Sequence, residues 1–198
     1  MTITRCVSWF AVQVSPRAEK KVADHLTYKG YQSFLPLYKA TRRWSDRKTV
    51  LELPLFPGYV FCRMTESSAG LIVATPGAVR IVGFGGKPYP VSDTEIGALQ
   101  QIVESGIHAV PFVPYLRIGE RVEIKDGPLS GITGIIVQIK NQRRLVVSVD
   151  AVMKSISIDV DAYEVSNCPP RSSFTVPPLM AGQAASRPIA SNKSDSPI

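Results

Sequence analysis

Leu53-Pro54-Leu55-Phe56-Pro57-Gly58-Tyr59-Val60-Phe61-Cys62-Arg63-Met64 is the stretch on which the fold turns. Two prolines and a glycine punctuate its start, so residues 53–58 read as an extended entry or turn. Tyr59–Met64 reads as a strand. Side chains alternate between the faces of a strand, which places Val60, Cys62 and Met64 on one apolar face suited to a core. Tyr59, Phe61 and Arg63 share the other. A strand packed on one side should be polar on its second face. Here the second face carries two aromatics and an arginine, residue types enriched at protein interfaces. Periodicity leaves two readings open: an aromatic docking face, or a strand covered on both sides by the protein's own helices.

Upstream, Trp9–Val14 reads as a strand. Ser15 can cap a helix with Pro16 in its first position, and Ala18, Val22 and Leu26 recur at helical spacing until Gly30. Strands at Tyr31–Leu37 and Thr49–Leu53 flank a basic segment. Downstream, Ser67–Thr75 reads as a short helix and Val79–Phe84 as a strand leading into Gly85-Gly86. Ser92 with Glu95 forms a capping box, and Ile96, Leu99, Ile102 and Val103 line one face of a helix that stops near Gly106. This mixture predicts an α+β domain over residues 1–106, an antiparallel sheet flanked by helices.

Ile107–Leu116 contains Pro111 and Pro114 and little charge, as in a semi-extended linker over residues 107–116. Arg121–Lys125, Ile135–Ile139, Leu145–Val149, Lys154–Val160 and Tyr163–Val165 are short strand patterns with glycine at the bends. They predict a small barrel over residues 117–166. Residues 167–198 are rich in Pro, Ser and Ala without periodicity, the composition of a disordered tail.

The chain has 198 residues and is 44% hydrophobic, enough for a packed core. No apolar run approaches the ~18–20 residues of a membrane span, and no signal-peptide core follows Met1, so a cytoplasmic location is expected. Three scattered cysteines, Cys6, Cys62 and Cys168, indicate neither a disulfide framework nor a metal site. Residues 1–110 hold 13 basic and 8 acidic residues, whereas residues 111–166 hold 7 of each. The excess concentrates at Lys39, Arg42, Arg43, Arg47 and Lys48. Such a run is either a solvated loop or a nucleic-acid contact; Trp44 among the charges could stack on a base.

The run Phe56-Pro57-Gly58-Tyr59-Val60-Phe61 resembles the signature motif of the NusG family of transcription elongation factors. Other anchors follow in register. Trp9-Phe10-Ala11-Val12 looks like that family's opening strand, and Val82-Gly83-Phe84-Gly85-Gly86 with Pro90-Val91-Ser92 like its lead into the last helix. Gly119-Glu120-Arg121-Val122, Asp126-Gly127-Pro128 and Gly134 resemble a KOW motif. Pro54-Leu55 and Phe61 look closer to the specialised RfaH and UpxY types. The implied fold is a NusG amino-terminal domain followed by an SH3-like KOW barrel.

The resemblance implies a factor, not an enzyme, that binds the RNA polymerase clamp and suppresses pausing or termination. Phe10, Phe56, Tyr59, Phe61 and Phe84 would supply the polymerase contact. Lys39, Arg42, Arg43, Trp44 and Arg47 would approach upstream or non-template DNA. Leu129, Ile132, Val152, Met153 and Lys154 would form the barrel's partner surface, toward a ribosomal protein or Rho. No cofactor, metal or membrane is implied, and a monomer is expected. RfaH-type carboxy domains can refold as a helical hairpin. Here Gly127, Pro128, Gly131 and Gly134, with β-branched residues through Ile135–Val160, disfavour helix, so a β module free of the Tyr59–Phe61 face is expected. Two other readings stand beside this one. An RNA-binding KOW protein of translation fits the overall charge but not the neutral barrel. An enzyme would need clustered acid, base or nucleophile residues, and those here are scattered.

Overall fold

A computed structural model describes residues 7–44, 47–112, 121–139, 142–160 and 165–167. In chain order the elements are β1 (Ser8–Val14), α1 (Glu19–Tyr28), β2 (Gln32–Phe34), β3 (Leu37–Trp44), β4 (Arg47–Pro54), β5 (Tyr59–Met64), α2 (Ala69–Val73), β6 (Ala78–Ile81), β7 (Gly83–Phe84), β8 (Lys87–Pro88), β9 (Pro90–Val91) and α3 (Asp93–Glu104). Then follow β10 (Ala109–Phe112), β11 (Arg121–Ile124), β12 (Thr133–Ile139), β13 (Gln142–Val149), β14 (Lys154–Asp159) and β15 (Val165–Asn167). The fold is α+β, and the pairings in both large sheets are antiparallel.

The amino-terminal sheet has the order β2-β5-β1-β6, with β9 also paired to β1. Its centre is the β1–β5 ladder, which sets Phe10 opposite Cys62 and Val12 opposite Val60. The side-chain period of two then fixes both faces. Phe10, Val12, Val60, Cys62 and Met64 form one buried cluster with Val22 and Leu26 of α1 and Ile72 of α2. Trp9, Ala11 and Phe61 form another with Ile96, Leu99 and Ile102 of α3. The sheet is covered on both sides, and this corrects the expectation of an open aromatic face. Phe61 is buried in the cluster that α3 contributes to, against the rings of Phe34 and Phe56.

The predicted capping box of α3 is present: the Ser92 hydroxyl accepts from Glu95 N at 3.1 Å, and a Glu95 carboxylate oxygen accepts from Ser92 N at 3.0 Å. The predicted cap of α1 is not. Ser15 N is tied to the Gly77 carbonyl at 2.9 Å, Ser15–Ala18 makes a turn of its own, and α1 starts at Glu19. The basic segment, left open between a solvated loop and a nucleic-acid contact, is the far end of the β3–β4 hairpin, with backbone pairing from Leu37↔Pro54 to Trp44↔Arg47.

The carboxy-terminal sheet is six-stranded, in the order β10-β14-β13-β12-β11-β15. It keeps the first four expected strands, has its last at Val165–Asn167, which shares only Val165 with the expected Tyr163–Val165 and extends into the expected tail at Asn167, and adds one strand. Ala109–Phe112, within the stretch expected as a linker, pairs along β14 with Ala109 opposite Ile158 and Phe112 opposite Ser155. As an end strand, β10 can carry Pro111, which lacks an N–H to donate. Gly134 permits a close approach of β12 and β13: a Cβ there would lie 2.6 Å from the Val146 carbonyl oxygen. Residues 113–120 and the tail beyond Asn167 lie outside the described residues, as do Gly119 and Glu120 of the KOW-like motif. No helix among the described residues is long and apolar enough to cross a membrane.

Candidate functional site

The turn entering β5 is anchored from below. Leu55 and Phe56 are buried, while Pro57 is exposed. Gly58 sits at φ +85°, a left-handed conformation that costs a residue with a Cβ. Its carbonyl accepts from Val14 N at 2.9 Å. Its N–H donates to Glu19 Oε1, also at 2.9 Å. Glu19 is a buried carboxylate in the first turn of α1, where the helix dipole favours negative charge. Sequence reading missed this residue, although an acid at a helix start was a visible signal.

The five residues expected at the polymerase contact separate by burial. Phe10, Phe56 and Phe61 are buried. Phe56 and Phe61 meet edge to face with centroids 5.6 Å apart, and Phe34 lies 6.3 Å from Phe61. These three expected contact residues are core in this conformation. Tyr59 is half-buried, and Phe84, at the β7–β8 hairpin, is 82% exposed. Gly85-Gly86 makes that hairpin's turn, and Tyr89 beside it is exposed as well. Only Tyr59 and Phe84 of the five therefore reach the surface.

Lys39 of the expected nucleic-acid residues is exposed. Arg42, Arg43, Trp44 and Arg47 are joined by the β3–β4 ladder, Trp44 opposite Arg47; their side chains lie outside the described residues. The base of the hairpin is tied to α1 by a Lys20–Glu52 ion pair of 3.3 Å, which at its exposure contributes at most about 1 kcal/mol.

The expected partner surface of the carboxy module is mostly covered. Leu129, Ile132 and Val152 are buried in the same apolar cluster as Ile96, Leu99 and Ile102 of α3. Met153 remains exposed. Lys154 is turned onto the amino-terminal half. Its Nζ lies 5.1 Å from the Tyr59 ring centroid and donates to the Pro57 carbonyl at 3.3 Å. The module is β as expected, but it is not free of Tyr59. The apolar cluster shared with α3 and the pairing of β10 hold it there.

Cys62 is fully buried, and burial pushes its thiol up to about 12. A thiol held protonated is a poor nucleophile. No cluster of His, Cys, Asp and Glu suited to a metal ion occurs among the described residues.

Comparison with known proteins agrees with the motif order. The family profile described as "Transcription termination factor nusG" matches residues 7–100, which run from β1 into α3 and include the Phe56–Phe61 turn. The transcription termination/antitermination protein NusG of Neisseria meningitidis is 28% identical over 174 residues, covering 79% of this chain and 96% of that protein. By both comparisons the chain is similar to the NusG family. The NusG of Escherichia coli K12 is 27% identical over 177 residues, covering 79% of this chain and 94% of that protein. Among solved structures, one titled "Domain interaction in Thermotoga maritima NusG" superposes with a TM-score of 0.53 at 21% identity. It covers 81% of this chain and 97% of that one, and it supports the fold. Both curated NusG proteins align along nearly their whole length, so the family's carboxy-terminal part is represented here too.

Proposed function

We propose that this chain is a transcription elongation factor that binds RNA polymerase and suppresses pausing or termination. The observation that carries the reading is the Phe56–Tyr59 turn. Its family signature is rigidly anchored through Leu55, Phe56, Gly58 and Glu19, and it presents Tyr59 at the surface. A side chain positioned on a fixed turn binds at low entropic cost. Phe84 on its hairpin supplies a second exposed aromatic. Aromatic anchors of this kind dominate many protein interfaces. The protein would act by binding, with no chemistry of its own. The β3–β4 hairpin would carry its basic residues toward upstream or non-template DNA, and the chain would act as a monomer in the cytoplasm. Its domains would be the amino-terminal sheet with its helices and the carboxy-terminal β module.

The test is a single-round transcription time course on a template with a defined pause. Added full-length protein should shorten the pause half-life, and Tyr59→Ala should lose that effect while melting as the wild type does. An unchanged pause with wild-type protein bound to polymerase would reject pause suppression.

A further inference from the structure

The turn that carries Tyr59 is held from the far side of the sheet. α1 packs with Phe10, Val12, Val60 and Cys62, whereas Tyr59 packs with Phe61 on the opposite face. Gly58 stands at the entry to β5, in a left-handed conformation at φ +85°. Both of its backbone groups are taken. Its carbonyl accepts from Val14 N and its N–H donates to Glu19 Oε1, each at 2.9 Å. One residue on, Tyr59 N donates to the Phe56 carbonyl at 3.1 Å and closes the turn. The backbone leading into Tyr59 is thus fixed by two main-chain bonds and by the carboxylate of Glu19.

The local backbone is strained to put Glu19 there. Arg17, two residues earlier, is a non-glycine residue at φ +65°, a conformation that side chains with a Cβ rarely adopt. The start of α1 also sits close on Gly77, at φ +93°, where an added Cβ would lie 3.0 Å from Val22 Cγ2 and 3.1 Å from Ala18 Cβ. Ala18 at the cap of α1 makes no side-chain hydrogen bond, and Glu19, the first helical residue, reaches away from the helix to Gly58. Strain of this kind persists where the surroundings over-determine it, and it clusters at functional positions. Glu19 is only 8% exposed, so it is too covered to meet a partner itself.

We propose that Glu19 is a positioning residue for polymerase binding: its carboxylate fixes the Pro57–Gly58 peptide and thereby the direction in which Tyr59 leaves the turn. The proposal rests on the polymerase reading of Tyr59 given above. Without the acceptor the turn samples other conformations, and affinity falls by the fraction of chains that keep the competent one. Because Glu19 acts through Tyr59, its loss has no effect on polymerase binding by a chain that lacks the Tyr59 ring.

Glu19→Met keeps an unbranched stem and a good helix former while removing the acceptor. Glu19→Gln keeps one acceptor oxygen. Both are made in the full-length chain, alone and combined with Tyr59→Ala. Affinity for core RNA polymerase, the unfolding midpoint and the backbone amide shifts of Gly58 and Tyr59 are read on each. Glu19→Met should move both shifts and weaken polymerase binding about 5- to 30-fold. Glu19→Gln should bind within about threefold of wild type, and Glu19→Met should add nothing to Tyr59→Ala. A merely structural role would weaken binding alike with and without the Tyr59 ring, and that result would overturn the proposal. Unmoved shifts, moved shifts with unchanged affinity, or a Glu19→Gln chain as weak as Glu19→Met would overturn it too. Glu19→Asp keeps the charge at the helix start but shortens the reach by one methylene, and it replaces Glu19→Met, with the same outcomes, should that variant not fold. Absence of polymerase binding by the wild type would overturn the polymerase reading, and this role with it, even if the Gly58 and Tyr59 shifts move.

Discussion

Tyr59 and Phe61 are separated by one residue and share a strand face, yet Phe61 is buried in the apolar cluster and Tyr59 is half-open. Their substitutions should therefore differ in kind. Phe61→Ala empties a site packed by Phe56 and Phe34 and should lower stability by about 3–5 kcal/mol, as for other buried Phe→Ala changes. Thermal or denaturant unfolding measures it. Tyr59→Ala should leave that midpoint nearly unchanged and act on binding. Cys62 carries a pH prediction. Its thiol is held neutral up to about 12 in the fold but ionises near 8.5 in the unfolded chain. Above that pH the native state holds a proton that the unfolded state has lost. The stability contributed by this group is thus complete below the unfolded value and declines as pH rises toward 12, by at most about 1.4 kcal/mol per pH unit. The Cys62→Ala protein, though less stable, should show a shallower alkaline slope between pH 9 and 11. Equal slopes would show that the thiol titrates normally.

At the scale of elements, regular local signals were legible and coverage was not. The alternation Val60, Cys62, Met64 assigned the core face of β5 correctly, and Ser92 with Glu95 announced the start of α3. Nothing within residues 53–64 states that Phe61 joins a cluster with α3, because burial of a face is decided by an element some thirty residues away. The same limit hid β10: two prolines read as a linker, and only pairing with β14 makes Ala109–Phe112 a strand. The basic run carries no strand signal of its own because charge and β-pairing are independent properties; the β3–β4 ladder continues through it. If this hairpin meets DNA phosphates, Arg42→Gln with Arg43→Gln should weaken binding to duplex DNA. Each lost phosphate contact should reduce the slope of log K against log salt by about 0.9. An unchanged slope would remove the hairpin from the DNA path. Gly134→Ala should disorder the carboxy-terminal sheet, since the added Cβ would meet the Val146 carbonyl and the Leu145 side chain. Loss of amide dispersion confined to residues 121–167 is the expected readout.

For the whole molecule, the two halves form one continuous apolar cluster from Trp9 through α3 to Ile158. The surface offered to a partner is therefore smaller than the sequence suggests, with Tyr59 and Phe84 left from five aromatics. The family resemblance rests on motifs spread along the chain and survives this reduction, whereas the site depends on the packing of α3 and the carboxy module. The most direct measurement is the affinity of the full-length protein for core RNA polymerase, wild type against Tyr59→Ala/Phe84→Ala, with unfolding midpoints recorded for both. Saturable binding by the wild type, weakened at least about tenfold in the variant at an unchanged midpoint, is the expected result, since interface aromatics commonly carry 1–2 kcal/mol or more each. Equal binding by both proteins would contradict the assignment of the polymerase contact to these two aromatics.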